Sequence, residues 1–494
     1  MGESREGVIL AIDVGSSSVR ASLYSAGELV EGTEESLPYE LVLTRDGGAT
    51  KDAEELFGLV VRAVDGALER AGRARDDISG VAVSTFWHAL LGVDGSGAPT
   101  TPVFTWADRR AAGYAGELRE RLDVDSLHAR TGCVPHSSYQ PAKLLWLASE
   151  APEAFARTER WLSPGEYFYL RLFGAGDPRV GVSMASATGL MHQNRKLWDE
   201  ETLAALPVSA SELPLISEEP REGLSPEWAR RWPALTGVPW FPAAGDGACS
   251  NVGVGSTTPD TAALMVGTSG AMRVLWKADS VEVPEGLWCY RPDARRFVAG
   301  GALSDGGNLI AWLRQTLRLP DEEETERELA SREPGSHGLG FLPLLAGERG
   351  PEWSDLANGA VTGLSMATEP VDILHAAMEA VTLRFALISR RIEHSLPHSG
   401  ERRVVATGGG LMGSPAWTRM MADALGCPVI ASGVNEASSR GVALLAGERL
   451  GGSPIEEVGA PLGETVEPDE ERHQAYLAAL EKQTELYEAL LGKT

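Results

Sequence analysis

An α/β fold in two similar domains is what this sequence predicts, on two observations: a phrase that occurs twice, and the alternation of short apolar strands with amphipathic helices. The phrase first spans residues 8–20, where VILAID reads as a buried strand and Val14-Gly15-Ser16-Ser17-Ser18-Val19-Arg20 as a turn into another. It returns where AALMV (262–266) runs into Gly267-Thr268-Ser269-Gly270-Ala271-Met272-Arg273. Turns of this composition present backbone N–H groups and hydroxyls, which suit phosphate oxygens. Either turn alone reads equally as an ordinary hairpin. The pair points to two domains facing each other across one polyphosphate. At 494 residues the chain also exceeds a single typical core.

The elements follow in order. Strands are expected at Val8–Asp13, Arg20–Tyr24 and Val81–Ser84. Between them Leu56, Val60, Val64 and Leu68 repeat at helical spacing over Asp52–Ala71, with Asp52 and Glu55 as a capping pair and Gly72 as the stop. The TWADRR segment (105–110) opens a stretch that reads as helical beyond Asp108, to Leu122. Residues 218–242, dense in Pro and Trp, read as irregular and lead to a strand-to-helix turn at 241–247. A boundary near residue 255 divides the chain into domains 1–252 and 253–494. The second half predicts helices over Asn308–Leu317, Val371–Leu396, Ala416–Leu425 and Pro468–Leu491, and a strand Val404–Thr407 running into Gly408–Gly410. The helix over Val371–Leu396 is apolar on more than one face and is expected between layers. The acidic run Asp321–Glu328 reads as a solvated face.

Composition narrows the class. An apolar share of 43% with 56 Gly and 29 Pro fits a loop-rich globular enzyme. A net charge of −26 argues against nucleic-acid or anionic-membrane partners, which need clustered cations. Small anions stay allowed, since a few N–H donors and arginines hold a phosphate. Cys133, Cys249, Cys289 and Cys427 stand singly, without zinc or redox spacing, and read as reduced, mostly buried thiols. No stretch has membrane-spanning length and the first residues lack a basic-then-apolar leader, so a cytoplasmic location is expected.

Several residues invite chemical roles. Asp13 ends a strand just before a phosphate-type loop, where a carboxylate repels polyphosphate unless a cation intervenes; an Mg²⁺ contact through water, or a cap on its own turn, explains it. Arg20 counters phosphate charge or is a surface strand residue. Asp246 lies between Gly245 and Gly247, small neighbours that let a ligand approach, and reads as a general base or as a structural turn residue. Gly408–Gly410 permits a flat ring such as adenine to meet bare backbone. Phe86-Trp87-His88, Trp106-Ala107-Asp108-Arg109 and His136 combine aromatic faces with polar groups, suited to a polyhydroxylated substrate or to a core.

Together and in this order, these phrases resemble the FGGY family of carbohydrate kinases over roughly residues 7–450. They are Asp13–Arg20, Trp106–Arg110, Gly245-Asp246, Gly267–Gly270, Gly300–Leu313, Thr407–Val429 and Glu436–Ala446. The resemblance implies two ribonuclease H-like domains of the actin and hexokinase type, with the active site in the cleft between them and ATP and Mg²⁺ as cofactors. Within the family the chain is most similar to gluconate kinases, through TWADRRAAGYA, TGCVPHSSYQPAKLLWL, ASATGL, LLAGERGPEW and GTSGAMR. It departs in the bulky Trp87 of Phe86-Trp87-His88, in Ser16 where Thr is usual, and in Met412-Gly413.

Carried over residue by residue, Asp246 is implied as the base and Asp13 as the residue orienting Mg²⁺. Gly15, Ser16, Ser17 and Arg20 with Gly267 and Thr268 are implied as phosphate loops, and Gly307, Gly409, Met412 and Gly413 as ribose and adenine contacts. Trp87, His88, Trp106, Asp108, Arg109 and His136 fall where the family's sugar contacts lie, with Lys143 as a further cation. The implied reaction is phosphorylation of a sugar acid, with D-gluconate foremost. Another sugar or polyol such as xylulose or ribulose, and a catalytically silent actin-like protein, stay open as alternatives. A sugar and a nucleotide are the expected partners, and a second copy of the chain is admitted as another.

Overall fold

In the first repeated phrase, the strand Val8–Val14 is buried from Ile9 onward, as a near-continuous apolar run demands when both faces of a sheet are covered. It pairs antiparallel with Ser18–Ser25, placing Asp13 opposite Arg20, and parallel with Ile78–Thr85. That strand pairs parallel with Ala244–Gly245, within a six-stranded sheet. The computed structural model describes residues 7–492 apart from 175, 177, 356, 397 and 401. The first six residues of the expected leaderless start therefore lie outside the described residues.

The second phrase repeats the arrangement in a seven-stranded sheet with its own core. Thr261–Val266 pairs antiparallel with Gly270–Lys277 and parallel with Arg403–Thr407, which pairs parallel with Val429–Ser432. The two turns differ in length. Gly15–Ser18 joins Val14 to Val19, whereas only Gly267–Ser269 joins Val266 to Gly270. Met265, opposite Ala271, therefore stands where the first hairpin has Asp13 opposite Arg20, and Arg273 lies further from its turn, opposite Ala263. The two arginines that make the phrases look alike are not equivalent.

The expected helices form as Ala53–Ala71, Gly307–Thr316, Pro370–Ser395, Pro415–Leu425 and Glu470–Leu491. Asp52 caps the first by accepting from Glu55 N at 2.8 Å, and Gly72 ends it at φ 52°. The Glu55 side chain pairs with Lys51 instead of closing the capping pair. The helix expected beyond Asp108 starts only at Ala112, because the Asp108 carboxylate ties the preceding residues into turns. Residues 218–242 are more ordered than expected: the short helix Pro226–Arg231 begins a stack of Trp228 on Trp232 and Trp232 on Trp240, with ring centroids 5.1 and 6.3 Å apart. In the acidic run, Glu326 departs from the solvated face by accepting from Ser414 Oγ and Ala416 N.

Two helices join the halves. Asp246–Gly253 follows the edge strand of the first sheet, and Ala437–Arg449 follows Val429–Ser432 of the second. They cross backbone to backbone: a Cβ on Gly253 would lie 1.8 Å from the Ala437 carbonyl oxygen, and one on Gly441 1.8 Å from that of Cys249. Ala437–Arg449 then packs on Val8–Val14 and Ile78–Thr85, so Val442 to Ala446 belong to the first core. A cut between residues 252 and 253 separates this helix from the sheet that buries it. Cys133, Cys249 and Cys289 are buried thiols, and Cys427 is half-buried. Among the described residues no helix is long and apolar enough to cross a membrane.

Candidate active site

Asp246 is the first residue of the Asp246–Gly253 helix, just past the short edge strand, with its Oδ1 accepting from Gly247 N at 2.8 Å. A cavity of about 150 Å³ opens on it, walled by Trp87, His88, Trp106, Arg273 and Arg349 among others, with Ser16 of the first phosphate-type loop at its edge. Burial raises the Asp246 carboxyl above its usual range, opposed by Arg273. A carboxylate shifted upward is better matched to taking a proton near neutrality.

The glycines beside Asp246 do not leave room for a ligand. A Cβ on Gly245 would lie 1.9 Å from the Trp87 indole, and one on Gly247 2.6 Å from it. The indole fills that space, donates from Nε1 to the Ser183 carbonyl at 3.1 Å, and packs edge-on against Trp288 and Tyr290. Trp87 is thus a wall of the cavity. His88 follows at φ 65°, a left-handed conformation strained for a side chain with a Cβ and typical of functional turns. Its Nδ1 lies 2.7 Å from the Ala187 carbonyl, which only accepts, so Nδ1 carries the proton and Nε2 is an acceptor. Burial holds the ring well below its usual range, hence neutral.

Other expected sugar contacts divide. Trp106 borders the cavity with the Arg349 guanidinium 4.4 Å above its ring. Asp108 is not brought to the cleft: its carboxylate accepts from Ala49 N, Arg110 N and the Arg110 guanidinium, and it is 2% exposed. Arg109 and His136 line a second cavity of about 260 Å³ that shares Trp106, Ser269 and Arg349 with the first. Arg109 donates to the Asp355 carbonyl at 2.7 Å. His136 accepts from Ser138 N at Nδ1 and donates from Nε2 to the Glu348 carbonyl, and burial pushes it down to about 4. Lys143 is behind the site, donating to the carbonyls of His88 and Ser138, its ammonium pushed down by burial to about 7.

Asp13 sits at the first loop with Oδ2 3.3 Å from Arg20 Nη1, while Arg20 Nε reaches Glu436 at 3.3 Å. Its Oδ1 is buried without a hydrogen-bond partner, and burial pushes the carboxyl up to about 6 against the pull of Arg20. An orphaned carboxylate oxygen at such a loop fits a hydrated hard cation such as Mg²⁺. The sign of its effect on stability is defined. Its folded pKa of about 6 exceeds the ordinary 3.8, so its contribution to stability falls as pH rises from about 4 to about 6 and stays low above. The Asp13→Asn protein is therefore expected to be more stable than wild type at pH 8 without ligands, by up to about 3 kcal/mol, with the gap closing below pH 4. Thermal melts at the two pH values check this, and equal melting temperatures at pH 8 contradict it.

A third cavity, of about 510 Å³, is walled by Gly267, Thr268, Gly307, Asn308, Trp312 and Gly410 among others, and shares Thr268 and Asn308 with the second. The three cavities thus adjoin one another, in a row from Asp246 to the second loop. In the glycine triplet, Cβ atoms on Gly408 and Gly410 would lie 2.4 and 2.9 Å from the Val266 carbonyl oxygen, so these two let the backbones of two loops touch. Only Gly409 faces open space. Met412 packs against the second core and Gly413 caps the short Gly409–Met412 helix, next to the Gly410 that lines the third cavity. Gly15 N closes its own turn onto Ser18 O at 3.0 Å, and the Ser17 carbonyl accepts from Tyr39 N.

Arg273, Arg349, Trp288 and Tyr290 complete the first cavity and had no role in the sequence reading. Arg273 and Arg349 stand inside GTSGAMR and GERGPEW, visible as text, but nothing in spacing reveals that both line the cavity over Asp246. Among the described residues, the three-residue His/Glu grouping is His337, His375 and Glu379. Leu339 N donates to His337 Nδ1, so the His337 proton is on Nε2 and donates to Glu379. The grouping ties the Pro370–Ser395 helix to the loop before it, and His337 offers a metal no lone pair there.

A family model described as the FGGY family of carbohydrate kinases, N-terminal domain, matches residues 8–253, and its C-terminal counterpart matches 262–448. A gluconokinase of Bacillus subtilis (strain 168) is 29% identical over 451 residues, covering 88% of this chain and 86% of that one. The structure of a ligand-bound xylulose kinase from Lactobacillus acidophilus aligns with TM-score 0.86 at 26% identity, over 98% of each chain. That of a gluconate kinase from Lactobacillus acidophilus aligns with TM-score 0.85, also at 26% identity and over 98% of each.

Proposed function

This chain belongs to the FGGY family of carbohydrate kinases, with its paired ribonuclease H-like domains, and we propose that it phosphorylates the terminal hydroxyl of a sugar acid, converting D-gluconate to 6-phosphogluconate with ATP. The observation that carries the reading is a half-buried carboxylate, Asp246, in a cavity lined also by Ser269 and Gly270 of the second loop and bordered by Ser16 of the first. Phosphoryl transfer asks mainly for alignment, charge neutralisation and exclusion of water. Asp246 accepts the proton of the attacking hydroxyl. The neutral His88 accepts a sugar hydroxyl at Nε2, and Trp87 and Trp106 cover the C–H faces. Gly15, Ser16 and Ser17 with Gly267 and Thr268 hold the phosphates, and Gly307 and Gly409 border the nucleoside. Asp13, aligned by Arg20, holds the hydration shell of Mg²⁺, which supplies neutralisation of phosphate charge when bound. Residues 1–252 contribute the base, the first phosphate loop and one wall of the sugar cavity, and 253–494 the second loop, the nucleoside side and the opposite wall with Arg273, Trp288, Tyr290 and Arg349, while the Ala437–Arg449 helix serves the first core.

Arg20→Ala and Thr268→Ala are each expected to weaken nucleotide binding by about 10-fold or more while leaving sugar affinity nearly intact, given roughly 1.5–3 kcal/mol for a charge-assisted hydrogen bond. Calorimetry with ATP beside tryptophan fluorescence with the sugar reads this, and an effect confined to the sugar contradicts it. The likeness to a xylulose kinase structure favours a second reading, the same chemistry on a neutral ketose. The reaction itself is tested by ³¹P NMR of a mixture with MgATP and D-gluconate. A phosphomonoester on the C6 hydroxyl is expected; ATP left intact, or an ester elsewhere, contradicts the proposal.

A further inference from the structure

The cavity over Asp246 carries more positive than negative charge. Arg273 and Arg349 both line it against the one carboxylate of Asp246, and His88 is neutral. Among the described residues neither guanidinium has a carboxylate at ion-pairing distance; Asp246 acts on each only through the field. Such a wall suits an anion. A neutral sugar would leave a desolvated cation unpaired.

The cationic and imidazole groups near the sugar end separate by what already holds them. Lys143 is engaged by two carbonyls behind His88, and both nitrogens of His136 are engaged. Arg109 turns to the Asp355 carbonyl in the second cavity and packs on Gly347. Arg273 packs on Gly247, its Nη1 is sealed from the cavity without a partner, and Asp246 is its foremost charged neighbour. Arg273 therefore belongs to the base end. Arg349 differs. Its guanidinium lies on the Trp106 ring at 4.4 Å and borders both the first and second cavities. A ring beneath a guanidinium holds it flat while its N–H edge stays free for a bidentate carboxylate.

We propose that Arg349 receives the carboxylate of the sugar acid, at the end of the substrate opposite the hydroxyl that Asp246 activates. The assignment rests on the sugar-acid reading above and deepens it: Arg349 becomes the residue by which the enzyme tells an acid from the corresponding alcohol. An extended six-carbon acid separates its carboxylate from its terminal hydroxyl by its whole length, which agrees with Arg349 lying toward the second cavity and Arg273 beside the base.

The test compares D-gluconate with D-glucitol, which replaces the carboxylate by an alcohol, in wild type, Arg349→Gln, Arg349→Lys and Arg109→Gln. Calorimetric affinity and kcat/KM are both read. Arg349→Gln is expected to lower the preference for gluconate over glucitol by about 10- to 150-fold, mainly through KM. Arg349→Lys, which keeps the charge but loses the fork, is expected to recover part of that preference. An unchanged preference in Arg349→Gln, or a loss seen in Arg109→Gln instead, overturns the role of Arg349 while the sugar-acid reading stands. A wild-type protein that neither binds nor phosphorylates gluconate overturns both.

Discussion

The Asp246→Asn protein is expected to fold, bind ATP and bind sugar, yet turn over about 10²–10⁴ times more slowly than wild type, the range a positioned base supplies. The substitution is nearly isosteric, and the amide oxygen can keep the bond from Gly247 N that closes the helix start. What it removes is, among the described residues, the only carboxylate lining the first cavity, in a place where burial has already raised its proton affinity. The loss should appear in kcat at saturating substrates, because the proton moves only in the transition state. Rate retention above about a third of wild type contradicts the assignment of the base. The same carboxylate should give kcat a descending acidic limb, since burial has raised its proton affinity and protonation disables proton transfer; protonation of Asp13, pushed up to about 6, would add a loss of cation binding.

The largest structural effect is expected from Gly441→Ala. The added Cβ would lie 1.8 Å from the Cys249 carbonyl oxygen and 2.9 Å from Gly253 N, both backbone atoms of the facing helix. No rotamer relieves such a contact, so the helices must part. Arg440, next in the chain, donates to the carbonyls of Gly27, Gly253 and Gly459, and these bonds would be lost with the shift. Overpacking commonly costs about 1–3 kcal/mol, and a backbone-to-backbone clash belongs at or beyond the upper end. A fall in melting temperature of about 5 °C or more, with lost activity, is expected. Gly447→Ala, on the same helix but with nothing within 4 Å of its added Cβ, is the control and should be neutral or slightly stabilising. Equal melting of the two variants contradicts the close helix crossing.

Local chemistry was legible in the sequence and relations between distant segments were not. Asp52, Gly72 and the apolar spacing between them specify a helix without help from the rest of the chain, and it forms with those ends. The strand phrases likewise dictate both hairpins. The placement of Ala437–Arg449 beneath the first sheet depends on a crossing that pairs Gly441 with Cys249, nearly two hundred residues away, and no local pattern encodes it. At the site, Asp246, His88 and Trp106, singled out by residue type and by the family resemblance, line one cavity. Asp108 misled because a carboxylate beside two arginines reads the same whether it faces a substrate or, as here, clamps Arg110 and Ala49. Gly245 and Gly247 misled in the opposite way: they do mark a close approach, but the approaching group is the chain's own Trp87. Arg349 was hidden because an isolated arginine in a loop has no spacing to betray it.

The central claim is that this cavity selects an acid, and specificity constants with MgATP over D-gluconate, D-xylulose and glycerol test it most directly. A site in which Arg349 requires a carboxylate rejects substrates lacking one, by analogy with polar sites that discriminate up to roughly 10⁴-fold. The account predicts kcat/KM for gluconate about 10²-fold or more above either neutral substrate, within that range. A specificity constant for xylulose or glycerol equal to or above that for gluconate would contradict it.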